Sequence, residues 1–166
     1  MRGNARVLLL VVTCLIPTAC ITDFKHPLGP VEEAFIEPNL VGSWKCSSAD
    51  DPTPNVVRIM DFDGKQYYIE FDEGKSEPAR LRGLAHRVED ATFLSVRGLQ
   101  TKDEEWTLLA YALSDSDHLE FGLVDAPSFE DVMDDPLSVK QRLAEQMHDP
   151  EVVTSLLSCV RDKPQG

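Results

Sequence analysis

Residues 56–72, VVRIMDFDGKQYYIEFD, give the clearest indication of the fold of this chain. Its second half alternates, with Tyr67, Ile69 and Phe71 on one face and Gln66, Tyr68 and Glu70 on the other. Strict alternation is the pattern of a half-buried β-strand. Asp63-Gly64 separates this run from the preceding apolar run, and both positions tolerate the positive φ that a tight hairpin turn requires. The stretch therefore predicts a β-hairpin.

Short apolar runs separated by turn residues continue on both sides of the hairpin. The predicted strands are Leu40–Ser47, Val56–Phe62, Gln66–Asp72, Ala79–Val88, Thr92–Leu99, Trp106–Ser114 and His118–Val124. Most of the connections are short, which is typical of an antiparallel meander. A meander of seven strands covers its edges by curling, so we expect a mainly β fold that closes into a small barrel or half-barrel.

The pattern changes after Asp125 from alternation to a helical period. Asp135-Pro136 places an N-cap residue before a proline at the first helical position, which predicts a helix over Leu137–His148. Asp149-Pro150 repeats this start signal. The residues that follow are apolar at spacings of three and four, namely Val152, Val153, Leu156, Leu157 and Val160. The sequence therefore predicts a second C-terminal helix, and a β domain with a helical tail over residues 40–162.

The first predicted strand carries a family resemblance. Gly42-Ser43-Trp44 resembles the Gly-x-Trp motif that opens the lipocalins, and it stands at the start of the first of several meandering strands. In that family the tryptophan closes the bottom of the barrel, and the glycine lets it pack closely. The resemblance covers Leu40 to about Asp125 and implies a lipocalin-like barrel. The alternative is that Trp44 is an ordinary core aromatic of a β-sheet.

The first twenty residues have the layout of a secretory signal peptide. Arg2 and Arg6 form a positive start, residues 7–16 are almost entirely apolar, and small residues follow. The apolar run is too short to span a bilayer, which needs about 20 apolar residues. We therefore predict that residues 1–19 are removed on export.

The end of this leader resembles the lipobox of bacterial lipoproteins, with Ile16, Thr18 and Ala19 before Cys20. The resemblance implies cleavage before Cys20 and a diacylglycerol on its sulfur, so that acyl chains hold the protein on the periplasmic side of the cell envelope. Because the next residue is Ile21 rather than aspartate, it favours the outer membrane over the inner one. The alternative is plain secretion. Residues 20–39, which are rich in proline, are expected to form a lipidated tether.

The charge of the chain limits its partners. The net charge is −13, and it becomes −15 without residues 1–19, because that segment contains Arg2, Arg6 and no acidic residue. Such a surface repels nucleic acid and anionic lipid headgroups, which predicts that the acyl chains do the anchoring. A basic envelope protein is the macromolecular partner that this charge favours.

Two cysteines remain once Cys14 has left with the leader and Cys20 carries lipid. Cys46 and Cys159 would then face an oxidising compartment, where a disulfide between them is the expected state. The alternative is a pair of buried free thiols. A bridge would join the first strand to the last predicted helix.

Arginines concentrate in two neighbouring strands of this acidic chain. Arg80, Arg82 and His86 share one face of the fourth predicted strand, and Arg97 lies in the next. If that face points into the barrel, Arg80, Arg82 and His86, together with Trp44, are the candidate ligand-binding residues, with the arginines placed for a carboxylate or phosphate headgroup. If it points outward, the arginines are expected to pair with Glu70 and Asp72 across the sheet.

No motif in the sequence indicates catalysis or a metal or organic cofactor. His26, His86, His118 and His148 lie far apart, and the chain has neither a Cys-x-x-Cys pair nor a Gly-x-Ser-x-Gly nucleophile motif. We therefore expect a non-catalytic, lipid-anchored binding barrel for a small apolar or amphipathic ligand. The alternative is a protein-interaction role in the envelope, as an inhibitor or assembly accessory, in which case the barrel interior would be filled.

Overall fold

The computed structural model describes residues 23–74, 77–100 and 104–163. The predicted leader and Cys20 lie outside these residues. The described chain forms a closed antiparallel barrel of eight strands, in which each strand pairs with its neighbours in sequence and the last pairs with the first. The strands are β1 (Gly42–Ser47), β2 (Asn55–Asp61), β3 (Tyr67–Asp72), β4 (Ala79–Val88), β5 (Ala91–Gly98), β6 (Thr107–Leu113), β7 (His118–Val124) and β8 (Val153–Arg161). The predicted mainly β barrel is confirmed, and it is closed rather than half-open.

The β-hairpin predicted for residues 56–72 is formed by β2 and β3. Ile59 pairs with Ile69 in its centre, and the turn contains Gly64 at φ 81°. The Asp61 carboxylate accepts a hydrogen bond of 2.7 Å from the Gly64 N–H, which fixes the turn. Positive φ costs glycine little, so the sequence signal and the structure agree for the same physical reason.

The prediction of a second C-terminal helix is wrong. The segment with the apolar spacing of three and four forms β8, which pairs with both β1 and β7. A sheet that ended at β7 would leave unpaired backbone groups along both its edges, and β8 satisfies both edges at once. The β-branched Val152, Val153 and Thr154 also favour an extended chain over a helix. Barrel closure therefore overrides the local helical pattern.

The first predicted helix is confirmed as α1 (Pro136–Gln146), the only α-helix in the residues that the structure describes. Asp135 caps it, accepting hydrogen bonds from the backbone N–H groups of Leu137 and Ser138. Val139 and Leu143 are buried on its inner face. A single-turn 3-10 helix at Ala126–Phe129 leads into this connection between β7 and β8.

The predicted disulfide is confirmed, but its place in the fold differs. Cys46 and Cys159 are joined by an S–S bond, and they are directly opposed residues on β1 and β8. Both cysteines are buried in the barrel interior. The bridge therefore locks the seam at which the barrel closes, rather than attaching a helix to the sheet.

The segment before β1 is packed on the barrel from Asp23 onward, unlike the extended tether that its prolines suggest. Phe24 and Trp106 exchange two backbone hydrogen bonds of 2.7 Å. Further along, a 3-10 turn at Val31–Glu33 precedes Phe35, whose N–H donates to the Ala85 carbonyl at 3.2 Å. The segment thus crosses the outer face of the barrel and passes under one end before β1 begins.

Two hydrophobic clusters result from this arrangement. One fills the barrel interior and is built around Trp44, Ile59, Tyr67, Leu94 and Phe121. The other lies outside, where the N-terminal segment and α1 cover the outer faces of β4 to β6; it contains Phe24, Leu84, Phe93, Trp106, Phe129 and Leu143. Binding surfaces are therefore restricted to the barrel interior and to the outer faces that this layer leaves uncovered.

Candidate functional site

One end of the barrel is closed by Trp44. Its ring is fully buried, and the indole N–H donates to the Leu40 carbonyl at 3.0 Å. The guanidinium of Arg161, at the end of β8, lies over this ring at 4.2 Å from its centre. Arg161 also donates to the backbone carbonyls of Val41 and Ser116, so one side chain ties together β1, the segment before it and the turn between β6 and β7.

The glycine of the Gly-x-Trp sequence makes room for this arrangement. Gly42 has φ 146°, and a Cβ placed on it would lie 2.4 Å from Nη1 of Arg161. The group that packs against Gly42 is thus the Arg161 side chain, which in turn lies over the Trp44 ring. Arg161 itself was not predicted, because the sequence pattern placed it at the end of a helix.

The interior beyond the closed end is nearly filled. A cavity of about 60 Å³ remains near the other end, and its lining is entirely apolar. Phe71, Leu81, Leu109 and Leu157 form a partly exposed rim around it. Packing at Gly83 is close enough that an added methyl group would lie 3.0 Å from Cδ1 of Ile69. The interior therefore has room for about two water-sized groups, since a water occupies roughly 30 Å³.

The structure does not bring the four candidate ligand-binding residues together. Trp44 lies inside the barrel at its closed end. Arg80, Arg82 and His86 project from the outer face of β4, because Leu81, Gly83 and Ala85 alternate with them on the inner face. An interior headgroup site built from these arginines is therefore not formed.

His86 is buried between β4 and the N-terminal segment. Its side chain is 2% exposed, and Nε2 lies 3.0 Å from the Pro30 carbonyl oxygen. A carbonyl can only accept, so Nε2 carries the hydrogen and Nδ1 holds the lone pair. Nδ1 is buried and has no hydrogen-bond partner in the described chain. Burial lowers the pKa of His86, and the Lys140 ammonium adds to this effect, so His86 is neutral in the folded protein.

We expect the stability of the protein to fall as the pH is lowered through about 6.5, because of His86. In the unfolded chain histidine binds a proton near this pH, whereas the lowered pKa keeps folded His86 neutral. The unfolded state then binds more protons, so the free energy of unfolding decreases with falling pH, by at most about 1.4 kcal/mol per pH unit. Urea unfolding at several pH values between 7.5 and 5.5 measures the slope of the free energy of unfolding against pH.

The matched control is His86→Gln, which can still donate to the Pro30 carbonyl and does not titrate. Its slope over this pH range should be flatter than that of the parent protein. An identical slope in the two proteins would show that His86 is not the group responsible.

An arginine face occupies the outer surface of β3 to β5; we define it as Phe62, Tyr68, Arg80, Arg82, Arg97 and Leu99. Tyr68, Arg82 and Arg97 are direct cross-strand neighbours in one row. The guanidinium carbons of Arg82 and Arg97 lie 5.7 and 4.9 Å from the centre of the Trp106 ring. Stacking on this buried indole holds both arginines against the sheet.

The expected pairing of these arginines with Glu70 and Asp72 is not observed. Arg58 on β2 approaches both carboxylates instead, at 3.9 and 3.8 Å. Within the described residues, Arg80, Arg82 and Arg97 form no ion pair at all. In addition, Nε of Arg82 is buried without a hydrogen-bond partner in this part of the chain.

A shallow groove of about 550 Å³ lies on the outside of the barrel along β5 to β8. Its floor contains small residues, Ala110, Ala112 and Gly122 among them, so the sheet surface is recessed there. Asp90 and Glu120 contribute acidic side chains to its lining. The groove could not be predicted from the sequence, since the small residues come together only when β6, β7 and β8 pair.

The described residues contain neither a metal-binding cluster nor a membrane-spanning helix. No group of three His, Cys, Asp or Glu side chains within residues 23–74, 77–100 and 104–163 is arranged to hold a metal ion. None of the helices in that part of the chain has the length and apolar character needed to cross a bilayer.

Comparisons with protein-family models, with curated proteins and with solved structures find no match to this chain. The closed meander is nevertheless consistent with a small lipocalin-like barrel. The function must therefore be inferred from the surfaces just described.

Proposed function

We propose that this protein is a lipid-anchored, non-catalytic component of the cell envelope that binds another envelope protein through the outside of its barrel. The observation that carries the proposal is the filled interior. Small-molecule pockets occupy about 300–1,000 Å³, and the cavity of about 60 Å³ in this barrel is far below that range. The filled barrel is the feature that distinguishes the interaction role from the ligand-binding role.

The groove along β5 to β8 is the surface best suited to a protein partner. It is larger than the interior cavity, at about 550 Å³, and it borders the layer formed by α1 and the N-terminal segment at Ala91, Ala110 and Val153. Asp90 and Glu120 line it, and the exported chain carries a net charge of −15. A basic protein segment would therefore be attracted to this groove and held in register by its charges.

Site-specific photo-crosslinking in the native cell tests this surface. A photoreactive residue at Ala112, exposed within the groove, should give a defined protein adduct, whereas one at the equally exposed Ala79 on β4 should not. Replacing Glu120 by lysine should reduce the Ala112 adduct several-fold, because it reverses a charge that attracts the partner. An adduct of equal strength at both positions, or one unaffected by Glu120→Lys, would contradict the proposal.

A second candidate function is suggested by the apolar lining of the interior cavity. Its rim of Phe71, Leu81, Leu109 and Leu157 could receive the end of a hydrocarbon chain, in the manner of a much reduced lipocalin-like site. Such binding requires the rim residues to move apart, since the cavity as it stands admits only about two methylene-sized groups.

Titration with a hydrophobic fluorescent probe separates the two candidates. The filled interior predicts no saturable binding to the soluble Cys20→Ser form of residues 20–166. Saturable binding that a fatty acid displaces, and that a cavity-filling Leu109→Trp variant abolishes, would instead establish the second candidate. Leu99→Trp is the control for this variant, because Leu99 is also apolar but lies on the outer surface.

A further inference from the structure

The arginine face differs in charge from the acidic chain as a whole. Arg80, Arg82 and Arg97 form no ion pair with the carboxylates of the described residues, and Trp106 holds two of them in place. The Asp63 carboxylate interacts electrostatically with Arg82 without forming an ion pair, and it accepts from the backbone N–H groups of Lys65 and Gln66. Guanidinium groups that no described carboxylate pairs with are suited to bind an anionic group from outside the chain, and phosphate matches their geometry.

Apolar side chains are exposed around these arginines. Phe62 is 71% exposed and Leu99 is 50% exposed. They line the two sides of a cleft of about 90 Å³ that also contains Tyr68 and Arg82. A surface that combines exposed Phe and Leu with Tyr and Arg has the composition of a protein region placed at a membrane–water interface.

The first described residues of the chain, Asp23 and Phe24, lie beside the same face. The Thr107 hydroxyl donates to the Asp23 carboxylate at 2.7 Å, and Phe24 pairs with Trp106, which holds the chain next to the Arg82 and Arg97 side chains. Only Ile21 and Thr22 lie between Cys20 and Asp23, so the three residue steps reach about 10 Å even when fully extended. Acyl chains on Cys20 would therefore enter the membrane close to the arginine face.

We propose that the arginine face docks on the membrane into which Cys20 is inserted, with Arg80, Arg82 and Arg97 binding the phosphates of phospholipid headgroups and Phe62 and Leu99 entering the interface. This orientation rests on the proposed lipid anchor. It directs β8, which lies four strands from β4 in the ring of eight, away from the bilayer. One edge of the barrel thus meets the membrane, and the face around β8 stays accessible to an envelope protein.

The net charge of the exported chain is compatible with this docking. Charges are screened over about 8 Å at physiological salt, so acidic groups on the far side of the barrel act weakly on the headgroups. Glu104 and Glu105, which are exposed beside Trp106, meet the ammonium group of phosphatidylethanolamine favourably. The face therefore suits a zwitterionic headgroup that presents both charges.

The test uses the lipidated protein reconstituted into vesicles of phosphatidylethanolamine and phosphatidylglycerol. A fluorophore on Gln100→Cys, next to Leu99, should be quenched several-fold more strongly by brominated acyl chains than one on Val160→Cys on β8.

The variants test which side chains hold this orientation. Replacing both Arg82 and Arg97 by glutamine should lower the equilibrium constant for docking of the face by about fivefold per arginine, seen as weaker quenching at position 100. Lys45→Gln with Lys163→Gln removes the same charge elsewhere and should change nothing. Phe62→Ser with Leu99→Ser, at exposed positions, should also reduce the quenching.

The mass of the N-terminal peptide, measured on the same sample, separates the possible failures. An unmodified thiol at residue 20 would overturn the anchor, and the orientation with it. Lipid at residue 20 with equal quenching at positions 100 and 160 would overturn the orientation alone. Unequal quenching that survives the double Arg→Gln change would overturn the assignment of phosphate binding to Arg82 and Arg97.

Discussion

Replacing Cys46 and Cys159 together by alanine is expected to lower the free energy of unfolding by between about 4 and 5 kcal/mol. The two cysteines are 113 residues apart in sequence, so the disulfide closes a loop that includes nearly the whole barrel. In the chain-entropy model, the loss of such a long loop greatly increases the freedom of the unfolded state. Because domains of this size are stable by about 5–15 kcal/mol, the change removes a large part of the total.

Urea unfolding of the soluble Cys20→Ser form measures this loss. The parent protein treated with a thiol reductant should unfold at nearly the same urea concentration as the double alanine variant, and the reductant should not affect the variant. Unfolding of the variant at the urea concentration of the oxidised parent would contradict the prediction. It would mean that hydrogen bonding between β1 and β8 holds the seam without the bridge.

Trp44→Ala is expected to cost about 3–5 kcal/mol of stability, the range found for large aromatic residues removed from cores. Trp44 is fully buried, and its loss would leave a void under the Arg161 guanidinium and remove a hydrogen bond to Leu40. The closed end of the barrel depends on this stack, because Arg161 also binds backbone carbonyls on either side of it.

Two comparisons test the origin of this effect. Trp44→Phe keeps an aromatic ring for Arg161 and should lose less stability than Trp44→Ala. A double-mutant cycle between Trp44→Ala and Arg161→Gln, which removes the cation, should give a coupling energy of about 0.5–2 kcal/mol, as expected of a cation–π contact. Additive losses would indicate that Arg161 acts only through its backbone hydrogen bonds.

Together these two groups of residues explain how a barrel with so little interior space remains closed. The disulfide locks β1 to β8 along the seam, and the Trp44–Arg161 stack closes one end of the same pair of strands. With β1 and β8 joined and the interior nearly filled, the outer surface offers more room for other molecules than the interior does. That surface carries both the groove and the arginine face.

The sequence by itself determined the first seven strands, the helix after Asp135 and the pairing of Cys46 with Cys159. Each of these depends on local chemistry: alternation along a strand, glycine in a turn, a carboxylate at a helix start and two cysteines left in an oxidising compartment. The leader and the lipid on Cys20 stay predictions, because they lie outside the described residues.

The secondary structure of the last segment and the partners of the arginines depend on long-range contacts that the sequence pattern does not contain. The residues from Val153 to Arg161 fit a helical stripe locally, yet two open sheet edges required a strand, and no local pattern contains that requirement. Likewise, Arg58 rather than Arg80 or Arg82 approaches Glu70 and Asp72, since side-chain reach across a curved sheet selects the partner. Arg80, Arg82 and Arg97 come together beside the Trp106 ring, and so form the arginine face, only when β4, β5 and β6 pair.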